Sequence, residues 1–294
     1  MPELPCDAPA LRRFFALTLA AVGLLPGGGA AAQGLGDAVL LRPSAVYDGG
    51  SGAPVAGLVV LVRDGRIVQV GEASAISSAD RARVVELPGL TLMPGLIEGH
   101  SHLLLYPYDQ MPWTTQVLNE SQGLRTARAT VNAAATLHAG VTSARDLGSE
   151  GAGYADVGIR DAIDQGVIEG PRLWVAGPAI VATGSYNPKG APELLLPLGA
   201  EPADGVDDLI RVVRDQIGRG ADWVKVYADY RWGPDGSAQP TFTQRELDTI
   251  VEVAGSSGRP VVAHASFVNA DGARASDPKN PHLSPDQQAL HPGE

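Results

Sequence analysis

The sequence predicts an α/β fold: an incomplete (β/α)8 barrel, with strands one to five present, behind a small N-terminal β module of sandwich type. Three observations predict it. From Pro94 onward, short apolar runs alternate with helix-length amphipathic segments, the rhythm of βα units around a parallel sheet. Before Pro94 the apolar runs are short and separated by turn residues. After Val268 the alternation stops, and Pro278, Pro281, Pro285 and Pro292 occupy a stretch almost without large apolar side chains.

The elements follow in order. Arg12 and Arg13 precede the apolar stretch from Phe14 to Leu25, and Ala30-Ala31-Ala32 precede Gln33. A basic region, a short apolar core and an A-x-A site are the three parts of a secretory signal peptide, assigned to residues 1–32. The apolar core is too short for a membrane anchor, which needs roughly 20 residues. The mature protein is therefore expected to be exported, periplasmic or extracellular, with no membrane attachment after cleavage.

Residues 33–93 form the β module. Within it Leu58–Val62 and Arg66–Val70 flank Asp64-Gly65, a dipeptide that supplies the positive φ of a tight hairpin. Residues 94–268 carry the barrel, with strands at Gly95–Gly99, Val141–Leu147, Arg172–Ala176, Trp223–Ala228 and Pro260–Ala263. Helices are expected over Gly123–His138, ended by Gly140, and over Val206–Ile217. A further helix opens with the Thr243-x-x-Glu246 capping box. Residues 269–294 read as a disordered Pro-rich tail.

Composition bounds the function. A formal charge of −11 and a pI near 5 argue against nucleic acid, whose phosphates an acidic surface repels. The single cysteine, Cys6, lies in the signal segment and excludes both disulfides and thiolate metal sites. Lysine is rare: only Lys189, Lys225 and Lys279 occur beside 19 arginines.

Four residues stand at the C-terminal ends of predicted strands, the face on which (β/α) barrels place their chemistry: His100, His102, Lys225 and His264. His100 and His102 are two apart on a strand, so both imidazoles face one side and can reach one ion. Strand alternation puts Trp223, Lys225 and Tyr227 on one face and Val224 and Val226 on the other. A lysine there either snorkels from an edge strand to solvent, or loses its proton on burial. In the second case it takes up carbon dioxide as a metal-bridging carbamate. His264 closes the last strand. His138 ends a helix and reads as structural.

Four runs carry a resemblance: Met93-Pro-Gly-Leu-Ile-Glu-Gly-His-Ser-His102, His138–Gly148, Gly220–Tyr230 and Gly258–Ser266. In this order they resemble the amidohydrolase superfamily, in the group of imidazolonepropionases and metal-dependent Xaa-Pro dipeptidases. The resemblance covers roughly residues 38–266. It implies that His100 and His102 bind the more buried metal, that a carbamylated Lys225 bridges two ions, and that His264 holds the second. The cofactor it implies is a divalent metal, zinc or a neighbour, as one or two ions. The substrate it implies is a small-molecule amide, lactam or dipeptide, hydrolysed at a C–N bond by a metal-activated hydroxide. The family's histidine of strand six and catalytic aspartate of strand eight have no counterpart after His264; His282 and His291 lie in the Pro-rich tail. From Gly95 about 200 residues remain, against ~250 for a whole barrel, the pattern of a truncation, a frameshift or a fragment. Two other readings stay open: an inactive remnant that at most binds metal, and an exported small-molecule binding protein without metal.

Overall fold

The computed structural model describes residues 38–50, 52–76, 82–188, 193–231 and 237–265. Residues 1–32, read above as a signal peptide, together with Cys6, Lys189, Lys279 and the Pro-rich tail, lie outside them. Contacts divide the chain into two units, at Met93 and Pro94.

In the first unit β1 (Val39–Val46), β2 (Val55–Ala56), β3 (Leu58–Arg63), β4 (Arg66–Glu72) and β5 (Arg83–Leu92) form one sheet. The β3–β4 hairpin turns at Asp64 and Gly65, both at positive φ (51° and 70°), as the Asp-Gly dipeptide predicts. β1 pairs antiparallel with β3 and parallel with β5, so the sheet is mixed. Leu40, Val59, Leu61 and Ile76 make its core. The sandwich expectation anticipated two stacked layers. The described residues of this unit form a single sheet, because the pairing of β5 along β1 places the last strand beside the others rather than over them.

The second unit runs in βα order: β6 (Leu96–Ser101), α1 (Trp113–Asn119), α2 (Gln122–His138), β7 (Val141–Asp146), α3 (Ala155–Asp164), β8 (Arg172–Val175), β9 (Ile180–Val181), β10 (Glu201–Pro202), α4 (Gly205–Gly218), β11 (Val224–Tyr227), β12 (Asp229–Tyr230), β13 (Gln239–Pro240), α5 (Gln244–Ser256) and β14 (Val261–His264). β6, β7 and β8 pair parallel, and so do β9, β11 and β14. The two groups meet where the Val175 carbonyl accepts from the amides of Asp222 and Trp223, at 2.8 and 3.1 Å. The result is an arc of parallel strands with helices on its outer side. Helix α3 and the short α1 were not legible in the sequence reading.

Each helix forms for a local reason and buries one face. Thr243 and Glu246 close both halves of the capping box on α5, and Ser121 caps α2 by accepting from the Leu124 amide. Leu209, Val212 and Val213 of α4 pack with Ile250 and Ala254 of α5 against Val224, Val226 and Ile180 of the sheet. Alanines 129 and 133 let α2 approach Ala144 and Leu173 closely. This outward packing of Val224 and Val226 fixes the opposite direction for Lys225, which decides the site.

Candidate metal centre

The strand pattern places His100 and His102 on one face, and their Nε2 atoms lie 3.2 Å apart with the rings nearly edge-on. The Nδ1 of His102 stands 2.9 Å from the Gly148 carbonyl at the end of the β7 loop. A carbonyl only accepts, so Nδ1 carries the proton and donates, and Nε2 keeps its lone pair toward His100. Two imidazole nitrogens bound at ~2.0–2.1 Å to one tetrahedral ion stand roughly 3.3 Å apart. The observed pair therefore fits a zinc-sized ion. Among the described residues, no three His, Cys, Asp or Glu side chains converge closely enough to hold an ion by themselves.

Lys225 is 1% exposed, which removes the solvent-snorkelling alternative: β11 is an interior strand between β9 and β14, and the lysine has no route to water. Burial pushes its ammonium down to about 8. The Arg145 charge acts in the same direction and the Glu150 charge opposes it. The sign of the resulting pH dependence follows. In the unfolded chain the amine keeps its proton up to ~10.4, whereas in the metal-free fold it releases it near 8. Between those values the unfolded state binds more protons, so stability rises with pH through this window and is flat below it. Urea unfolding at several pH values should show this rise in the metal-free wild type and its loss in Lys225→Met. Parallel profiles for the two proteins would contradict the burial account.

His264 ends β14 opposite Tyr227, and the two rings stack at 4.7 Å and 26°. Tyr227 packs on Tyr186 at 4.6 Å, and Tyr186 packs on Trp113 at 5.2 Å and Tyr230 at 5.8 Å. Beneath these rings lies Glu150, 1% exposed. Its Oε2 accepts from Tyr186 Oη at 2.6 Å and Trp113 Nε1 at 2.8 Å, and its Oε1 stands 4.0 Å from His102 Nδ1. A continuous path thus runs from His264 through Tyr227, Tyr186 and Glu150 to His102. The structure brings His100 and His102 into direct contact, and it connects His264 to them through this path. Lys225 Nζ lies 5.5 Å from the centroid of the Tyr227 ring that stacks on His264.

Glu150, Tyr186 and Trp113 were missed by sequence reasoning. The available signal was an acidic residue framed by Gly148, Gly151 and Gly153 just after a strand. Those glycines take positive φ, and so does Glu150 itself at 50°. A non-glycine residue in that region costs of order 1–3 kcal/mol and persists only where its surroundings impose it. The surroundings here are explicit. Arg125, buried in α2, donates Nη1 to the Glu150 carbonyl, Nη2 to Ser149 and Nε to Leu104, at 2.8, 3.0 and 3.1 Å. One guanidinium therefore ties the loop after the His-x-His strand to the loop after β7.

Asp146, at the end of β7, adds a second tie by accepting from the Leu103 amide at 2.8 Å. Burial, followed by the charge of Asp156, holds its carboxyl well above the usual carboxylate range. Burial also pushes Asp156 up to about 6, against hydrogen bonds from the Gly177 and Val157 amides. His138 is exposed at its helix end and pairs with Glu169 at 3.1 Å, away from the site.

Comparisons with known proteins bear on the family and the fold. The model of the amidohydrolase family matches residues 91–289, about two thirds of the chain and reaching past His264 into the segment where the sequence reading found no resemblance. Ochratoxinase of Aspergillus niger is 32% identical over 247 residues, covering 73% of this chain and 48% of its own. This chain therefore spans about half the length of the curated relatives it matches. Among solved structures, an amidohydrolase superposes with a TM-score of 0.64 at 30% identity, covering 77% of this chain and 56% of that one. A Xaa-Pro dipeptidase with bound methionine in its active site does so with 0.65 at 25%, covering 78% and 57%. The crystal structure of the Aspergillus niger ochratoxinase gives 0.63 at 26%, covering 81% and 57%. With these matches, the arc of parallel strands is that of a TIM-barrel-like α/β fold, and the chain belongs to the amidohydrolase family.

Proposed function

We propose that this chain supplies the metal-binding strands of a hydrolase that cleaves the C–N bond of a small-molecule amide or dipeptide. The observation that carries the reading is the His100–His102 nitrogen pair, 3.2 Å apart at the mouth of an arc whose fourth main strand buries Lys225. His100, His102, Lys225 and His264 are the ligands in this reading. A divalent ion held there would act as a Lewis acid toward a carbonyl and would lower the pKa of a water so that hydroxide is available near neutral pH. The chain's own groups prepare the place. The Gly148 carbonyl fixes the tautomer of His102, and burial keeps a neutral fraction of the Lys225 amine near neutral pH. That amine adds carbon dioxide, releases one proton and becomes a carbamate anion able to bridge two ions.

The names of the relatives support amide and dipeptide substrates. The stretch from Arg12 to Ala32 supports an exported protein. The test is zinc titration of the metal-free chain with and without bicarbonate. Bicarbonate should tighten zinc binding in the wild type and leave Lys225→Ala unaffected, and metal-dependent hydrolysis is followed with Xaa-Pro dipeptides and N-acyl amino acids. Zinc uptake indifferent both to bicarbonate and to Lys225→Ala would overturn the bridging role.

A further inference from the structure

Glu150 is not needed to hold the proposed ligands, yet the fold invests heavily in it. The residue sits at positive φ, its carboxylate is buried, and Arg125 pins its backbone carbonyl. What the side chain does is visible in its partners. Oε2 accepts from two aromatic residues, the Tyr186 hydroxyl and the Trp113 indole N–H. These come from two different connections, α1 after the first barrel strand and the segment after β9. Glu150 therefore joins rings that the chain brings from separate loops.

The rings so joined form one patch. Tyr186 touches Trp113, Tyr227 and Tyr230, with centroids 4.6 to 5.8 Å apart, and Tyr227 continues onto His264. All four aromatic residues are only half-buried. Gly199 is part of the arrangement: a Cβ there would come within 2.3 Å of Trp113 Cζ2 and 3.1 Å of Tyr186 Cε1, so glycine lets both rings approach the backbone closely. An aromatic cage for an ammonium group would need its rings spread around a gap. Here Tyr186 fills the middle and contacts the other three, which leaves a wall rather than a cage. A wall of half-exposed rings beside a candidate metal ligand suits offset or edge-on packing with another flat ring.

We infer that Glu150 is a positioning residue that fixes Trp113 and Tyr186 as an aromatic wall beside His264, and that this wall binds a planar aromatic group next to the substrate's amide. The inference rests on the proposed function for the identity of the amide, but the wall itself stands on the ring contacts. Its substrate class is an aromatic acyl amide in preference to an aliphatic one.

The experiment compares N-benzoylglycine with N-acetylglycine, which differ only in the ring, binding to the zinc-loaded full chain by calorimetry. The wild type should prefer the benzoyl compound by roughly 3- to 10-fold, the range of one aromatic pair. Tyr186→Ala should bring the ratio to about one while zinc content stays at the wild-type level. Tyr186→Phe keeps the ring and removes only its donor to Glu150, while Trp113→Phe removes the other donor together with part of the ring; each should lower the preference, and Glu150→Gln should restore most of it relative to Glu150→Ala. These gentler variants carry the test if Tyr186→Ala does not fold. Equal affinities in the wild type, or a preference unchanged in all the variants, overturns the wall. Failure of zinc binding with the benzoyl preference intact would instead count against the metal reading alone.

Discussion

Replacing His102 by alanine should lower zinc affinity by at least ~100-fold while leaving the fold intact. The magnitude has a lower bound: losing a group that merely orients a ligand costs about 10- to 100-fold, so losing the ligand itself costs more. His102 is the stronger choice because its Nδ1 is already committed to the Gly148 carbonyl, which leaves Nε2 with a single use. His100→Ala should act in the same direction. His138→Ala is the control, since that imidazole is exposed and paired with Glu169. Metal analysis after gel filtration, with circular dichroism to check folding, reads all three. Equal zinc in the wild type and in both site variants would remove the metal assignment.

Replacing Arg125 by leucine should destabilise the second unit by ~3–5 kcal/mol. Its guanidinium donates to three backbone carbonyls, Leu104, Ser149 and Glu150, all in the interior. A buried acceptor left without its donor costs roughly 1–3 kcal/mol, and the loss is larger when the donor was charged. Arg125→Lys should recover only part of this, because an ammonium on a flexible stem cannot reproduce the planar fork. Urea unfolding of the metal-free proteins measures both. A change of less than ~1 kcal/mol in Arg125→Leu would show that water or neighbouring groups replace the fork. Because the same fork holds Glu150, the variant should also loosen Tyr186 and Trp113 and weaken the preference for an aromatic ligand.

The parts of the molecule legible in the sequence share a physical trait: each is set by residues close in the chain. The hairpin at Asp64-Gly65 follows from the φ values those two residues tolerate. Helix α5 starts where a Thr and a Glu three residues apart can cap each other. The opposite directions of Lys225 and its flanking valines follow from the period of a strand. Helix α3 escaped although Ala155, Ile159, Ala162 and Ile163 recur at helical spacing, because no side chain caps its first turn and nothing local marks where it begins.

By itself the sequence determined the family, the five main parallel strands in their order, and the four candidate ligands His100, His102, Lys225 and His264, because the motifs that carry them are local and follow one another along the chain. Only the tertiary structure decided that Lys225 is buried rather than snorkelling, since that depends on which strands flank β11. Tertiary structure also decided the roles of Arg125, Glu150, Tyr186 and Trp113. Arg125 lies 25 residues from Glu150, and Glu150 lies 36 and 37 residues from Tyr186 and Trp113. No local pattern distinguishes a buried arginine in an alanine-rich helix from a solvated one, and the glycines around Glu150 mark a turn without showing what its carboxylate meets. Their function comes from hydrogen bonds and ring contacts that exist only once separate loops meet at one end of the sheet.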